Sequence, residues 1–195
     1  LTTYLGRRPN IFAPKELIPP ARAIELHSPI LSLSQMEYLQ KLAEGGGTQG
    51  HLRTRELHMT FRRDHGAVGF RAQLRKLAAD AVTAVQSGCS IIILTDRLAT
   101  YEHPPIPSLL VLRAVSKALN LAGELLSASI VVDTGEVRST HHVAALVGFG
   151  AAAVCPRLAL QIAYFDPDSS LQKLTPEQKE KNLLKTFDAG LLKVM

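Results

Sequence analysis

Asp96-Arg97, Asp133-Thr134-Gly135-Glu136 and Cys155-Pro156 are where residue type and placement in this chain allow chemistry, and each group follows a short apolar run. The runs are Ile91 to Thr95, Ser129 to Val132 and Ala151 to Val154. Carboxylates beside guanidiniums can hold a small anion, orient a polar ligand or act as an acid and base pair, since each charge shifts the proton affinity of its neighbour. With Arg138 and His141 just beyond Glu136, the contact candidates are Asp96, Arg97, Asp133, Thr134, Glu136, Arg138, His141 and Cys155. Asp96-Arg97 reads either as an ion pair locking a strand end or as a ligand contact.

Spacing narrows the chemistry. His141 and His142 are adjacent, and adjacent residues on a helix point about 100° apart, so the pair does not suit one metal ion; the useful spacings are i,i+3 and i,i+4. Glu136 to His141 does not match the Glu-x-x-His of helical di-metal sites. Asp133-Thr-Gly has the letters of an aspartic-protease loop, but that chemistry needs a second carboxylate from a second such loop, and the chain has one copy. Gly148-Phe-Gly150 lacks the third glycine of a dinucleotide fingerprint and precedes a strand instead of following one. No Ser or Cys stands in a nucleophile motif, and Cys89 and Cys155 are expected as buried thiols. A metal site and a self-contained hydrolase are therefore not expected. On the residues alone, a freestanding half-barrel, either small-anion-binding or enzymatic, that uses Asp96, Arg97, Asp133, Glu136 and Arg138 stays open.

The elements that must position these residues are α/β. Apolar runs without alternation suit strands buried on both faces, as in parallel sheets covered by helices. Leu57, Met59 and Phe61 alternate and suggest a first strand. Phe70, Leu74, Leu77, Ala81 and Val85 recur at helical spacing up to Gly88. Further helices are expected from Pro107 to about Leu119, from Ser139 to Leu146 and from Leu158 to Tyr164. Strand and helix alternate, the pattern of right-handed βαβ crossovers, so the core should be a parallel sheet of about four βα units, an incomplete barrel or a small open sheet. The polar strand ends would then share one edge, where such sheets meet ligands and partners.

Around that core, residues 1–30 are rich in proline and read as an extended arm. Ser34-Gln-Met-Glu37 has the letters of a capping box before a short helix, and Gly45 to Gly47 would stop it. The core should occupy 31–165 of a single α/β domain. Residues 166–195 then form a linker, broken at Asp166 to Ser170, and a last helix capped by Thr175-Pro-Glu-Gln178. That helix carries Leu184, Phe187, Leu191 and Leu192, a face that needs a neighbour and could drive self-association. The chain begins without Met and stops inside a helical pattern, as an excised piece of something longer would.

Composition is ordinary at 46% hydrophobic and 20% charged residues, with no run approaching the ~20 apolar residues of a membrane helix. A soluble protein of the cytoplasm is expected. Net charge is +5, and it concentrates between His51 and Lys76, where seven cations face only Glu56 and Asp64. The segment lacks the interleaved aromatics of a single-strand binder and reads as a solvated or protein-facing surface.

Taken in order, Gly6-Arg-Arg-Pro-Asn10, His27-Ser-Pro-Ile-Leu31, Ile92-Ile-Leu-Thr-Asp-Arg97, Ile106-Pro-Ser-Leu-Leu110, Ile130 to His142, Ala145 to Ala151 and Lys181 to Met195 resemble the central domain of the glutamate synthase large subunit. That family is the iron-sulfur flavoenzyme that makes glutamate from glutamine and 2-oxoglutarate, an oxidoreductase of nitrogen assimilation. The resemblance implies neighbours on both sides: an amidotransferase domain with an amino-terminal Cys nucleophile, and a synthase domain holding FMN and an iron-sulfur cluster. It implies a connector that helps enclose the ammonia path, with no catalytic residue and no cofactor of its own, and a plastid location if the source is a plant or alga. Thr134, Cys155 and Ser116-Lys-Ala118 depart from the family pattern, which has Ser, Asn and a His-rich run there.

Binding of the Arg53 to Lys76 segment to duplex DNA should be feeble and vanish at physiological salt, because non-specific phosphate contacts are dominated by counterion release. A fluorescence-anisotropy titration checks this; sub-micromolar, sequence-selective binding at that salt would reveal a nucleic-acid interface instead.

Overall fold

The structure, a computed structural model, describes residues 1–9, 23–44, 52–165 and 174–194. The expectations for Gly45 to Gly47, for the Asp166 to Ser170 break and for residues 10–22 of the proline-rich arm lie outside these residues. Four parallel strands, β3 (Thr54–His58), β4 (Ile91–Thr95), β5 (Ser129–Thr134) and β6 (Ala153–Pro156), pair in chain order. Their connections are α2 (Gly66–Gln86), α3 (Ser108–Leu121) and α4 (Thr140–Gly148), and α5 (Arg157–Phe165) follows β6 directly. A short hairpin of β1 (Thr3–Gly6) and β2 (Ala23–Leu26), with α1 (Leu33–Glu44) and α6 (Pro176–Val194), completes the described chain.

The apolar runs lack alternation because the sheet is covered on both sides. Ile92, Leu94, Ile130, Val132 and Val154 face one core with α2, α3, α4 and α6. Ile91, Ile93, Val131, Ala153 and Cys155 face a second core with the hairpin, α1 and α5. All five residues of β4 and all six of β5 are buried. At about 25 cal/mol per Å² of apolar area, such two-sided burial is the main force holding the strands in register.

Several boundaries move for identifiable reasons. β5 and β6 run through Thr134 and Pro156, past the expected apolar ends: the β5 tip is held by the side-chain bonds described below, and the β6 tip pairs with it in register. Met59 and Thr60 continue β3 by pairing back onto the Pro104 to Ile106 segment, with Ile106 N–H donating to the Met59 carbonyl at 2.7 Å. The arm is a two-stranded hairpin in its described part. It leads into Ile30, which bridges Val154 and covers the outer edge of β6.

The capping box of α1 is Ser32 with Gln35, not Ser34 with Glu37. Ser32 N–H donates to Gln35 Oε1 at 2.9 Å and Gln35 N–H to Ser32 Oγ at 3.2 Å. Ser34 already lies inside the first turn, where its backbone cannot serve as the cap. The Thr175 and Gln178 box of α6 forms as read, with bonds of 2.8 and 3.3 Å.

α6 is also better covered than its sequence suggests. Phe187 and Leu191 are buried against the core, with Leu183 and Leu184 packed beside them, and only Leu192 of the expected stripe is exposed. The uncovered face expected to drive self-association is therefore absent. Glu180 accepts the Leu33 N–H at the start of α1 at 2.8 Å, and Ser28 Oγ donates to Asp188. No described helix is long and apolar enough to cross a membrane.

Where α4 crosses α6, a Cβ on Gly190 would lie 2.5 Å from Thr140 Oγ1 and 2.7 Å from its Cγ2. Gly190→Ala should lower stability by about 1–3 kcal/mol in urea unfolding through overpacking, despite the better helix propensity of Ala. Adding Thr140→Ala should recover most of that loss.

Candidate functional site

The parallel register brings Thr95, Asp133 and Cys155 side by side at the carboxyl edge of the sheet, with Asp96 one residue further on. Asp133 is fully buried. Its Oδ2 accepts from Arg97 Nε at 2.6 Å and from Thr95 Oγ1 at 2.9 Å. Its Oδ1 faces Arg157 Nε at 3.4 Å, an ion pair in which neither atom has a hydrogen-bond partner. Asp96 Oδ1 accepts from Arg157 Nη2, while its Oδ2 accepts from Thr134 Oγ1 at 2.6 Å and Gly135 N–H at 2.9 Å. Two carboxylates and two guanidiniums thus tie the tips of β4, β5 and β6 together.

The electrostatics follow from burial. Loss of water pushes the Asp133 carboxyl above its ordinary value, and Arg97, Arg157 and the Thr95 hydroxyl offset this only in part. The Cys155 thiol is pushed well above its usual range, first by burial and then by the Asp133 charge, which favours its protonated form.

The expected residues fall into two sets. Asp96, Arg97, Asp133, Thr134 and Cys155 converge at this edge. Glu136 turns away to cap α3, accepting Ser108 N–H at 2.8 Å and Ser108 Oγ at 2.5 Å. A carboxylate suits that position, since the first turn of a helix presents unpaired N–H groups and positive potential. The side chains of Arg138 and His141 are exposed, outside the network; Arg138 contributes its N–H, which donates to His142 Nδ1 at 3.2 Å. Among the described residues no group of three or more His, Cys, Asp or Glu side chains could hold a metal ion.

Arg157, which bonds Asp96 and forms an ion pair with Asp133, was not among the expected residues. The signal for it is position: it follows the β6 tip directly, much as Arg97 follows the end of β4. The basic segment is partly neutralised, by Arg62 with Asp64 and Lys76 with Asp80, each at 2.5 Å. Arg53 donates to the Ser87 carbonyl, and the Arg63 guanidinium lies 3.9 Å from the Tyr101 ring centroid.

Residues 1–195, the whole chain, match the glutamate synthase central domain family. The chain is 34% identical to ferredoxin-dependent glutamate synthase 2 of Synechocystis sp., an alignment covering 100% of this chain and 13% of that protein. It is 36% identical to ferredoxin-dependent glutamate synthase 1 of Arabidopsis thaliana, covering 100% of this chain and 12% of that protein. Against the NADPH glutamate synthase large chain of Bacillus subtilis the identity is 30%, covering 99% and 12%. The chain thus spans about an eighth of the length of these relatives. A mutant flavocytochrome b2 with benzoylformate superposes at a TM-score of 0.49 with 15% identity, over 85% of this chain and 34% of that one.

Arg157→Met should cost about 3–5 kcal/mol at neutral pH, because it leaves two desolvated carboxylates short of a partner. Asp133, whose native value is already raised, would rise further in the variant. A raised carboxyl contributes stability that is lost as pH climbs through its native value, so the variant should lose more on that climb than the parent. Urea unfolding at about pH 5 and about pH 7.5 should therefore show the deficit narrowing at the lower pH.

Proposed function

The chain belongs to the glutamate synthase central domain family, and on that premise we propose that it is a connecting domain of a glutamate synthase large subunit, with no reacting group of its own. In this reading it holds an amidotransferase domain and an FMN synthase domain in register and helps enclose the path of ammonia between them. Its contribution to glutamate formation is geometric: fixed walls that exclude water and keep two sites at one spacing. By the same reading the protein works in the cytoplasm, or in a plastid if its source is a plant or alga.

One observation carries the reading. Every carboxylate at the strand tips is already held by the chain itself: Asp133 by Arg97 and Thr95, Asp96 by Arg157, Thr134 and Gly135, and Glu136 by Ser108. A group that must move a proton or bind substrate needs a free lone pair or a donor facing a cavity. Here the edge that usually meets a ligand is closed by its own charges. The same closure weighs against a small-anion site, since each guanidinium already neutralises a buried carboxylate, and Arg157 faces two of them.

The residues also do not fit the cofactors that the family implies. An iron-sulfur cluster needs several thiolates in one place. The chain has two cysteines. Cys89 lies before the start of β4 and Cys155 near the end of β6, at opposite ends of the strands. An FMN phosphate would need several unengaged donors together at the strand tips, where Thr134, Gly135 and Arg157 already serve Asp96 and the terminal nitrogens of Arg97 are what is left.

The purified chain should therefore hydrolyse no glutamine, retain no FMN and form no glutamate. Glutaminase assays and the visible spectrum check this, and a yellow or glutamine-hydrolysing preparation would overturn it.

A further inference from the structure

α5 has two apolar faces. Leu160 is buried in the core shared with the hairpin and α1. On the other side Leu158, Ile162 and Phe165 recur at i, i+4 and i+7 and remain 41%, 62% and 73% exposed. That spacing lines them along one face of the helix. Phe165 is braced edge-on against Tyr164, with centroids 5.0 Å apart. The stripe starts at the strand-tip edge, where Leu158 lies against Gly135.

The charge network extends this stripe. Arg97 and Arg157 reach the same Asp133 carboxylate, so Leu98 and Leu158 each follow an arginine anchored at that edge. Leu98 is 57% exposed. The Arg97 side chain remains 30% exposed and bonds Asp133 through Nε, which leaves its two terminal nitrogens as unengaged donors. Large apolar side chains around a partly desolvated guanidinium have the composition of an interface centre.

Resting on the connecting-domain reading, we propose that this surface, made by Leu98, Leu158, Ile162 and Phe165 with Arg97 at its rim, docks an adjoining domain of the same polypeptide. The adjoining surface is apolar and carries a carboxylate or carbonyl acceptor opposite Arg97. Two observations select that occupant over a second copy of this chain. The relatives are about eight times longer than this segment, so a covalently attached domain is present at high effective concentration. The patch is also not self-complementary: it offers donors at Arg97, while the carboxylates nearest to it, Asp96 and Asp133, are already engaged.

The test is thiol footprinting of the full-length enzyme, read by mass spectrometry of the peptide carrying the introduced residue. Ile162→Cys is compared with Val68→Cys, an exposed reference on α2. The expected result is alkylation at position 162 about tenfold slower or more, the factor that corresponds to about 1.4 kcal/mol of docking free energy. That protection should persist when the enzyme is diluted. Equal rates at the two positions overturn the proposal. Protection lost on dilution, with dimer seen by sedimentation, assigns the surface to a second copy and also overturns it. Phe165→Cys gives an independent position should Ile162→Cys fail to fold. Because footprinting does not read activity, a failed docking surface and a failed connecting-domain reading are told apart.

Discussion

A carboxylate removed wholly from water at the end of β5 is the constraint on which this domain turns. Desolvating such a charge costs several kcal/mol, which only well-placed opposite charges and hydrogen bonds can offset. Asp133 obtains them from the neighbouring chain segments, Arg97 and Thr95 beyond and within β4, and Arg157 at the start of α5. Each donor is useful only if its strand ends in register, so the electrostatics of one side chain hold three strand tips in line. Asp96 repeats the arrangement one residue further out, and Arg157 belongs to both.

Much of this was legible in the sequence, and the part that was not has a physical reason. Ile91 to Leu94 could be read as a doubly covered strand because β-branched residues without alternation fit few other environments. α2 was legible from its spacing, and α6 from Thr175 and Gln178. Thr95 and Arg157 were missed because a partner defined by proximity across strands leaves no spacing along the chain. The hairpin escaped for the same reason, since its strands are separated by a long connection. Ser34 was mistaken for a cap because the letters of a capping box occur twice, two residues apart, and only the backbone distinguishes them. The stripe on α6 was misjudged because its cover comes from the fold and not from its own sequence.

Family membership and physical chemistry meet at the carboxyl edge. In many α/β proteins that edge is where chemistry occurs; here the same residue types are turned inward and used as braces. Glu136 shows the change most plainly, because it sits where a bound anion often sits, at the N-terminus of a helix, and is part of the chain. On the proposed reading, a scaffold whose charges are paired internally is rigid without being reactive. The apolar residues left outside that scaffold are then the ones available to neighbours.

The anchoring of α6 bears on how the domain is made. Glu180 accepts the first N–H of α1 across 147 residues of sequence, and Asp188 receives Ser28 across 160. Contacts this distant along the chain are closed late, since the loop entropy must be met before they return anything. During synthesis the four-stranded sheet can assemble as each βα unit emerges, whereas the amino-terminal hairpin and α1 must wait for the final helix to leave the ribosome. Within this domain the earliest segment made is thus among the last to reach its native bonds, and the growing chain carries an uncovered sheet face until then.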